Sequence, residues 1–229
     1  MQHQPEDNRR PLAVRNTAVS RKIAVWLSQK NITPNQISLA SIAFAIAGFA
    51  ILAVYHYWSA PLLLMAAAGC IQLRLLCNLF DGMVAVEGGK KTPAGELYND
   101  IPDRVADPVF ILAAGLTTQS PAGMTLAWGC ALLAVMTAYI RVLGVSMQCP
   151  ADFRGPMAKQ HRMALLTGVL LLLMVHRLTN WLPAFFDYTM DAALAIMLSG
   201  CLITIWRRTA GIYRTKQRQA DISERAHHD

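Results

Sequence analysis

The chain has 229 residues, 54% of them hydrophobic and 15% charged, with a formal net charge of +7 and a mean hydropathy of +0.32. That balance is too apolar for an ordinary soluble domain of this length. The apolar residues come in long runs rather than amphipathic stripes, which points to membrane helices. Topology explains the excess of positive charge better than a nucleic-acid partner would, so none is expected.

Residues 1–16 are polar and are expected to form a flexible cytoplasmic tail, without the apolar segment or cleavage site of a signal peptide. Val19, Ile23, Trp26 and Leu27 recur at helical spacing opposite Arg21, Lys22 and Gln29. Residues 17–32 therefore read as an interfacial amphipathic helix with Trp26 at headgroup depth. Thr33 and Pro34 supply an N-cap and first helical residue for the next segment. Apolar runs then follow at 37–58, 61–80, 109–118, 122–147, 163–175 and 190–206. Four can cross a hydrocarbon core of about 30 Å as helices. The third and fifth reach that length by extending into polar flanks at 99–107 and 159–162. The expected fold is an all-α integral membrane protein, with six transmembrane helices in a membrane domain over 33–211. A basic cytoplasmic tail, 212–229, is expected to lie along anionic headgroups before becoming disordered.

Lysine and arginine set the orientation. Arg9, Arg10, Arg15, Arg21, Lys22 and Lys30 precede the first run, and Lys90 and Lys91 follow the second. Arg154, Lys159 and Arg162 follow the fourth, and a basic group from Arg207 to Arg225 follows the sixth. The alternate connections carry only Arg177. The positive-inside bias then places both termini in the cytoplasm, in what is expected to be a bacterial inner membrane. Cys70, Cys77, Cys130, Cys149 and Cys201 form no CxxC pair and read as small packing residues.

An ionisable group at membrane depth costs about 2.5–3.5 kcal/mol, so charges gathered at one level call for a function. Arg74, Asn78, Asp81 and Ala85 share one helical face. Gly95, Asn99, Asp103 and Asp107 share another, with Asp100 beside them, and the two faces can meet across a Gly88-Gly89 turn. Oxygen-only donors without His or Cys suit Mg²⁺ or Mn²⁺ rather than zinc. Gly82 and Gly95 would let a flat or phosphorylated ligand approach the backbone. Pro102 removes one helical hydrogen bond. Asp107 can also pair with Arg74 as a structural ion pair.

The spacing Asn78-x2-Asp81-Gly82-x2-Ala85-Val86-x8-Gly95-x3-Asn99-x3-Asp103 resembles the signature of the CDP-alcohol phosphotransferase (CDP-alcohol phosphatidyltransferase) family, D-x2-D-G-x2-A-R-x8-G-x3-D-x3-D. The intervals agree, while Asn78, Asn99 and Val86 stand where that pattern has Asp, Asp and Arg. The resemblance implies transfer of a phosphatidyl or related group from a CDP-diacylglycerol-like lipid to a small alcohol acceptor, with release of CMP. It implies metal-site roles for Asn78, Asp81, Asn99 and Asp103, with Asp103 also the general base, and a nucleotide-facing backbone at Gly82, Ala85 and Gly95. Arg141, Arg154, Lys159 and Arg162 would receive a phosphate on the acceptor. A homodimer is implied as well. The alternatives are a non-catalytic lipid- or nucleotide-binding protein of the same fold and a small cation transporter. The transporter is disfavoured because the acids cluster at one end of the helices.

Overall fold

The computed structural model describes residues 17–30, 32–90, 93–180 and 182–228, so the expected tail at 1–16 lies outside the described residues. All regular structure among them is helical. Thr17 caps α1 (Ala18–Gln29), and its side chain accepts from the Ser20 N–H at 3.3 Å. Ser20 and Ala24 are the buried residues of this helix, whereas Val19, Ile23 and Trp26 are exposed. The small face packs on the protein and leaves the large apolar side chains exposed.

The cap expected at Thr33 is present and reciprocal. Gln36 N–H donates to Thr33 Oγ1 at 3.2 Å, and Thr33 N–H donates to Gln36 Oε1 at 3.0 Å. This capping box opens α2 (Pro34–Trp58). A second proline starts α3 (Pro61–Glu87), which stops at Gly88, followed by Gly89 at φ 63°. Lys90 Nζ then donates to the Ser28 and Ile32 carbonyls at 2.8 and 3.3 Å, tying the turn to the end of α1.

The remaining helices are α4 (Gly95–Gly115), α5 (Gly123–Ser146), α6 (Lys159–Thr179) and α7 (Thr189–His228), with a short 3₁₀ turn at Ala184–Tyr188 before α7. Five of them, α2, α3, α5, α6 and α7, are long and apolar enough to cross a membrane. The sixth expected span, α4, is long enough but carries Asp100, Asp103, Arg104 and Asp107 along its length. It does extend through the polar flank 99–107, as α6 does through 159–162. The helix α7 departs from expectation. It continues unbroken to His228 instead of giving way to a tail beyond Trp206.

The helix α2 packs along both α3 and α4, α3 continues to α6, and α5 bridges α4 and α7. The core between them is rich in small side chains, including Ala45, Ala67, Ala106, Ala113, Ala127 and Ala134. Such residues let helix backbones approach closely where lipid gives no hydrophobic drive. Gly48 shows the principle, since a Cβ there would lie 2.5 Å from the Phe110 ring of α4. All five cysteines are free and four are buried, as packing residues should be. The up-and-down course brings the end of α3 and the starts of α4 and α6 to the same end of the bundle, which positions the site.

Candidate catalytic site at one end of the bundle

The helix α3 projects Arg74, Asn78 and Asp81 into the bundle. Arg74 is fully sealed from solvent, and its Nη2 donates to Asp103 Oδ1 at 3.0 Å and to Asp107 Oδ1 at 2.5 Å on α4. The Asn78 amide donates to the same Asp103 oxygen. Asp81 is buried and accepts from Ser38 Oγ of α2 at 2.7 Å and from the Gly82 N–H at 2.5 Å. The helix α6 delivers two further cations. Lys159 Nζ donates to Asp103 Oδ2, and Arg162 Nη2 donates to Asp107 Oδ2 at 2.9 Å.

A clamp on the preceding loop aims those two residues inward. Gly155 adopts φ 134°, and the Met157 N–H donates to Thr204 Oγ1 of α7 at 3.1 Å. Arg208, one turn beyond Thr204, donates to the Arg154 carbonyl at 3.0 Å and to the Thr137 carbonyl of α5 at 2.6 Å. Arg162 Nη1 donates to the Met157 carbonyl and to Thr137 Oγ1, which fixes its guanidinium against α5. Buried cations held in this way are costly to strip of a partner, typically about 3–5 kcal/mol.

The residues expected at the site divide into two groups. Asn78, Asp81 and Asp103 come together, and so do Lys159 and Arg162 with the acids. Gly82 and Ala85 lie half-buried on α3, and Gly95 is the first residue of α4. Asn99 is exposed one turn before Asp103. Arg141 pairs with Asp100 at 3.4 Å and stacks over the Phe153 ring, 5.4 Å from its centroid. Arg154 points away from the cluster, exposed and paired with Asp152 at 2.9 Å. The expected Arg74–Asp107 ion pair is present. Nothing in the sequence marks Ser38, Thr137 or Arg208 as part of this site. The first two are hydroxyls inside apolar runs, and Arg208 looks like any flanking charge.

Among the described residues, no three of His, Cys, Asp and Glu gather in a way that could hold a metal ion. The carboxylates available to one are Asp81 and Asp103, which lie within electrostatic reach of each other, with the Asn78 amide beside Asp103. A Mg²⁺-type cation commonly uses one or two carboxylates and completes its shell with water and substrate phosphate. Among the described residues, this donor set fits one such ion and does not fit a pair.

Comparison with known proteins agrees with this architecture. A family model described as CDP-alcohol phosphatidyltransferase matches residues 31–206. The inner membrane protein YnbA of Escherichia coli (strain K12) is 24% identical over 149 residues, covering 65% of this chain and 71% of that protein. Among solved structures, the chain is similar to Mycobacterium tuberculosis phosphatidylinositol phosphate synthase (PgsA1) with CDP-DAG bound. The TM-score is 0.67 at 18% identity, over 86% of this chain and 94% of that one. The same synthase in complex with manganese and citrate gives a TM-score of 0.66 at 18% identity, over 84% and 88% of the two chains. At this identity the likeness to the synthase shows a shared fold.

Proposed function

Because the chain belongs to the CDP-alcohol phosphatidyltransferase family, we propose that it transfers a phosphatidyl or related group from a CDP-linked lipid to an acceptor alcohol, releasing CMP. The observation that carries this reading is the convergence of Asn78, Asp81 and Asp103 with Lys159 at one end of the bundle, beside the glycines of the signature. In the transfer, the acceptor hydroxyl attacks the β-phosphorus of the donor. The bond from that phosphorus to the bridging oxygen breaks, and CMP leaves with the electron pair. The hydroxyl proton passes to a carboxylate oxygen of Asp103, a general-base contribution worth about 10²–10⁴-fold. Gly82, Ala85 and Gly95 leave room for the cytidine diphosphate against the two helices.

Asp81 is proposed to be the main carboxylate ligand of a Mg²⁺ or Mn²⁺ ion, with Asp103 the base beside it; the ion would neutralise charge on the diphosphate when bound. Arg141, at the rim beside Phe153, is proposed to meet a phosphorylated acceptor, while Lys159 and Arg162 are occupied by the acids. The proposed organisation is a cytoplasmic segment at 1–16, the interfacial helix, and a membrane domain whose catalytic end faces the cytoplasm. An inner-membrane location is proposed on the likeness to YnbA, and a homodimer on the family resemblance.

The decisive assay supplies purified protein with CDP-diacylglycerol, Mg²⁺ or Mn²⁺ and a panel of alcohols, including glycerol 3-phosphate and inositol 1-phosphate. CMP should appear with at least one acceptor. Failure with every acceptor, in protein that is folded and embedded in lipid, sinks the reading. One observation favours a second reading, a non-catalytic CDP-lipid binder: both oxygens of Asp103 are already engaged by the protein's own donors. That reading predicts that Asp103→Asn leaves the cellular function intact.

A further inference from the structure

The centre of the proposed transfer site is electrically balanced before any ligand enters. Asp81, Asp103 and Asp107 are buried among Arg74, Lys159 and Arg162, three negative charges against three positive. The acids are not equivalent within this balance. Asp107 is held from both sides by Arg74 and Arg162, both buried. Asp103 carries Arg74 and Asn78 on one oxygen and Lys159 on the other. Asp81 accepts from neutral groups, the Ser38 hydroxyl and the Gly82 N–H. A metal ion approaching Asp103 therefore meets an ammonium already in place, whereas Asp81 has no cation in direct contact and feels Lys159 only through space. The neighbouring side chains at the matching turns, Asn78 and Asn99, are amides that can ligate but bring no charge.

We propose that Lys159 is a tethered cation that neutralises Asp103 in place of a metal ion, so that the site takes a single divalent cation, centred on Asp81. This rests on the reading of the cluster as the metal centre of the transfer site. Of the three cations, Lys159 is suited to the task. Its ammonium is a compact point charge on a flexible stem, and it is half-buried where Arg74 and Arg162 are sealed. It can withdraw or stay without dismantling the ion pairs beneath it.

The test is Mn²⁺ binding to the full chain in detergent, read by electron paramagnetic resonance and equilibrium titration without CDP-lipid. Wild type should take up no more than one Mn²⁺ per chain and give no spectrum of a coupled pair. Lys159→Met should tighten Mn²⁺ binding by at least about tenfold, from removal of a like charge near the ion, while Lys159→Arg stays close to wild type. A coupled Mn²⁺ pair in wild type overturns the proposal. So does Lys159→Met binding no more tightly than wild type, including the case in which neither protein binds. Should Lys159→Met fail to fold, Asn78→Asp decides. With Lys159 retained it should still hold one ion, and a coupled pair there overturns the proposal. These measurements do not involve turnover, so a chain that releases no CMP but meets them would sink the transfer reading alone.

Discussion

Arg74 of α3 and Asp107 of α4 meet at 2.5 Å with side chains 0% and 5% exposed, and this ion pair joins two helices that otherwise touch little. Its two ends are not symmetric. Asp107 also holds Arg162, whereas Arg74 also holds Asp103, which keeps Lys159 as a second cation.

Removing the acid should therefore cost more than removing the base. Asp107→Asn leaves two buried guanidiniums short of charge, and about 3–5 kcal/mol of stability should go with it. Arg74→Met leaves each carboxylate with one cation and should cost less. Thermal unfolding of both variants in detergent checks the order, and equal losses would contradict it.

The two carboxylates proposed to act in the transfer should be indispensable to turnover. Asp103→Asn and Asp81→Asn are each expected to cut CMP release by about 10²-fold or more. Asp100→Asn, which loses only the rim pairs to Arg104 and Arg141, should cost far less. Initial rates at saturating CDP-diacylglycerol separate these outcomes, provided each variant melts near wild type.

Gly155 should tolerate no side chain. Its φ of 134° is strained for an L residue, and a Cβ would lie 2.5 Å from Thr204 Cγ2. Gly155→Ala should cost about 1–3 kcal/mol and loosen the loop that aims Lys159 and Arg162. A lowered melting temperature with increased protease cleavage between residues 150 and 158 is the expected signature.

The loop also carries a small acid-sensitive element. Partial burial works to raise the Asp152 carboxyl, but hydrogen bonds from the Arg154 side chain and N–H outweigh it and hold the group below its usual 3.8. A depressed folded value means a contribution that is present above the unfolded pKa and lost as pH falls through the folded one. Asp152→Asn should thus lower stability slightly at neutral pH, by under about 1 kcal/mol given the exposure of Arg154. The gap should close only in acid below the usual carboxylate range. Melting curves of both proteins across pH will show whether it does.

The location of the candidate site was legible because charge at membrane depth is conspicuous in an apolar chain. Asn78, Asp81, Asp103 and the Arg74–Asp107 pair all follow from helical spacing. The starts of α2 and α3 were legible for a similar reason, since proline marks a first helical turn. What spacing does not reveal is the neighbour lying between two helices. The passage of α2 beside α3 is what turns Ser38 into the partner of Asp81. Nor does composition separate Arg154 from Lys159 and Arg162. All three read as cytoplasmic flanking charges, and only the bend at Gly155 and the clamp from Thr204 and Arg208 divide them. The polar stretch after Trp206 reads as a tail, yet its backbone continues the helix.

That continuation has a mechanical meaning. At 1.5 Å per residue the 40 residues of α7 span about 60 Å, roughly twice the hydrocarbon thickness of a bilayer. The outer half is a stiff mast rooted beside the loop that holds Lys159. A sideways load on the far end of that helix would act as a lever on Thr204 and Arg208 at its base.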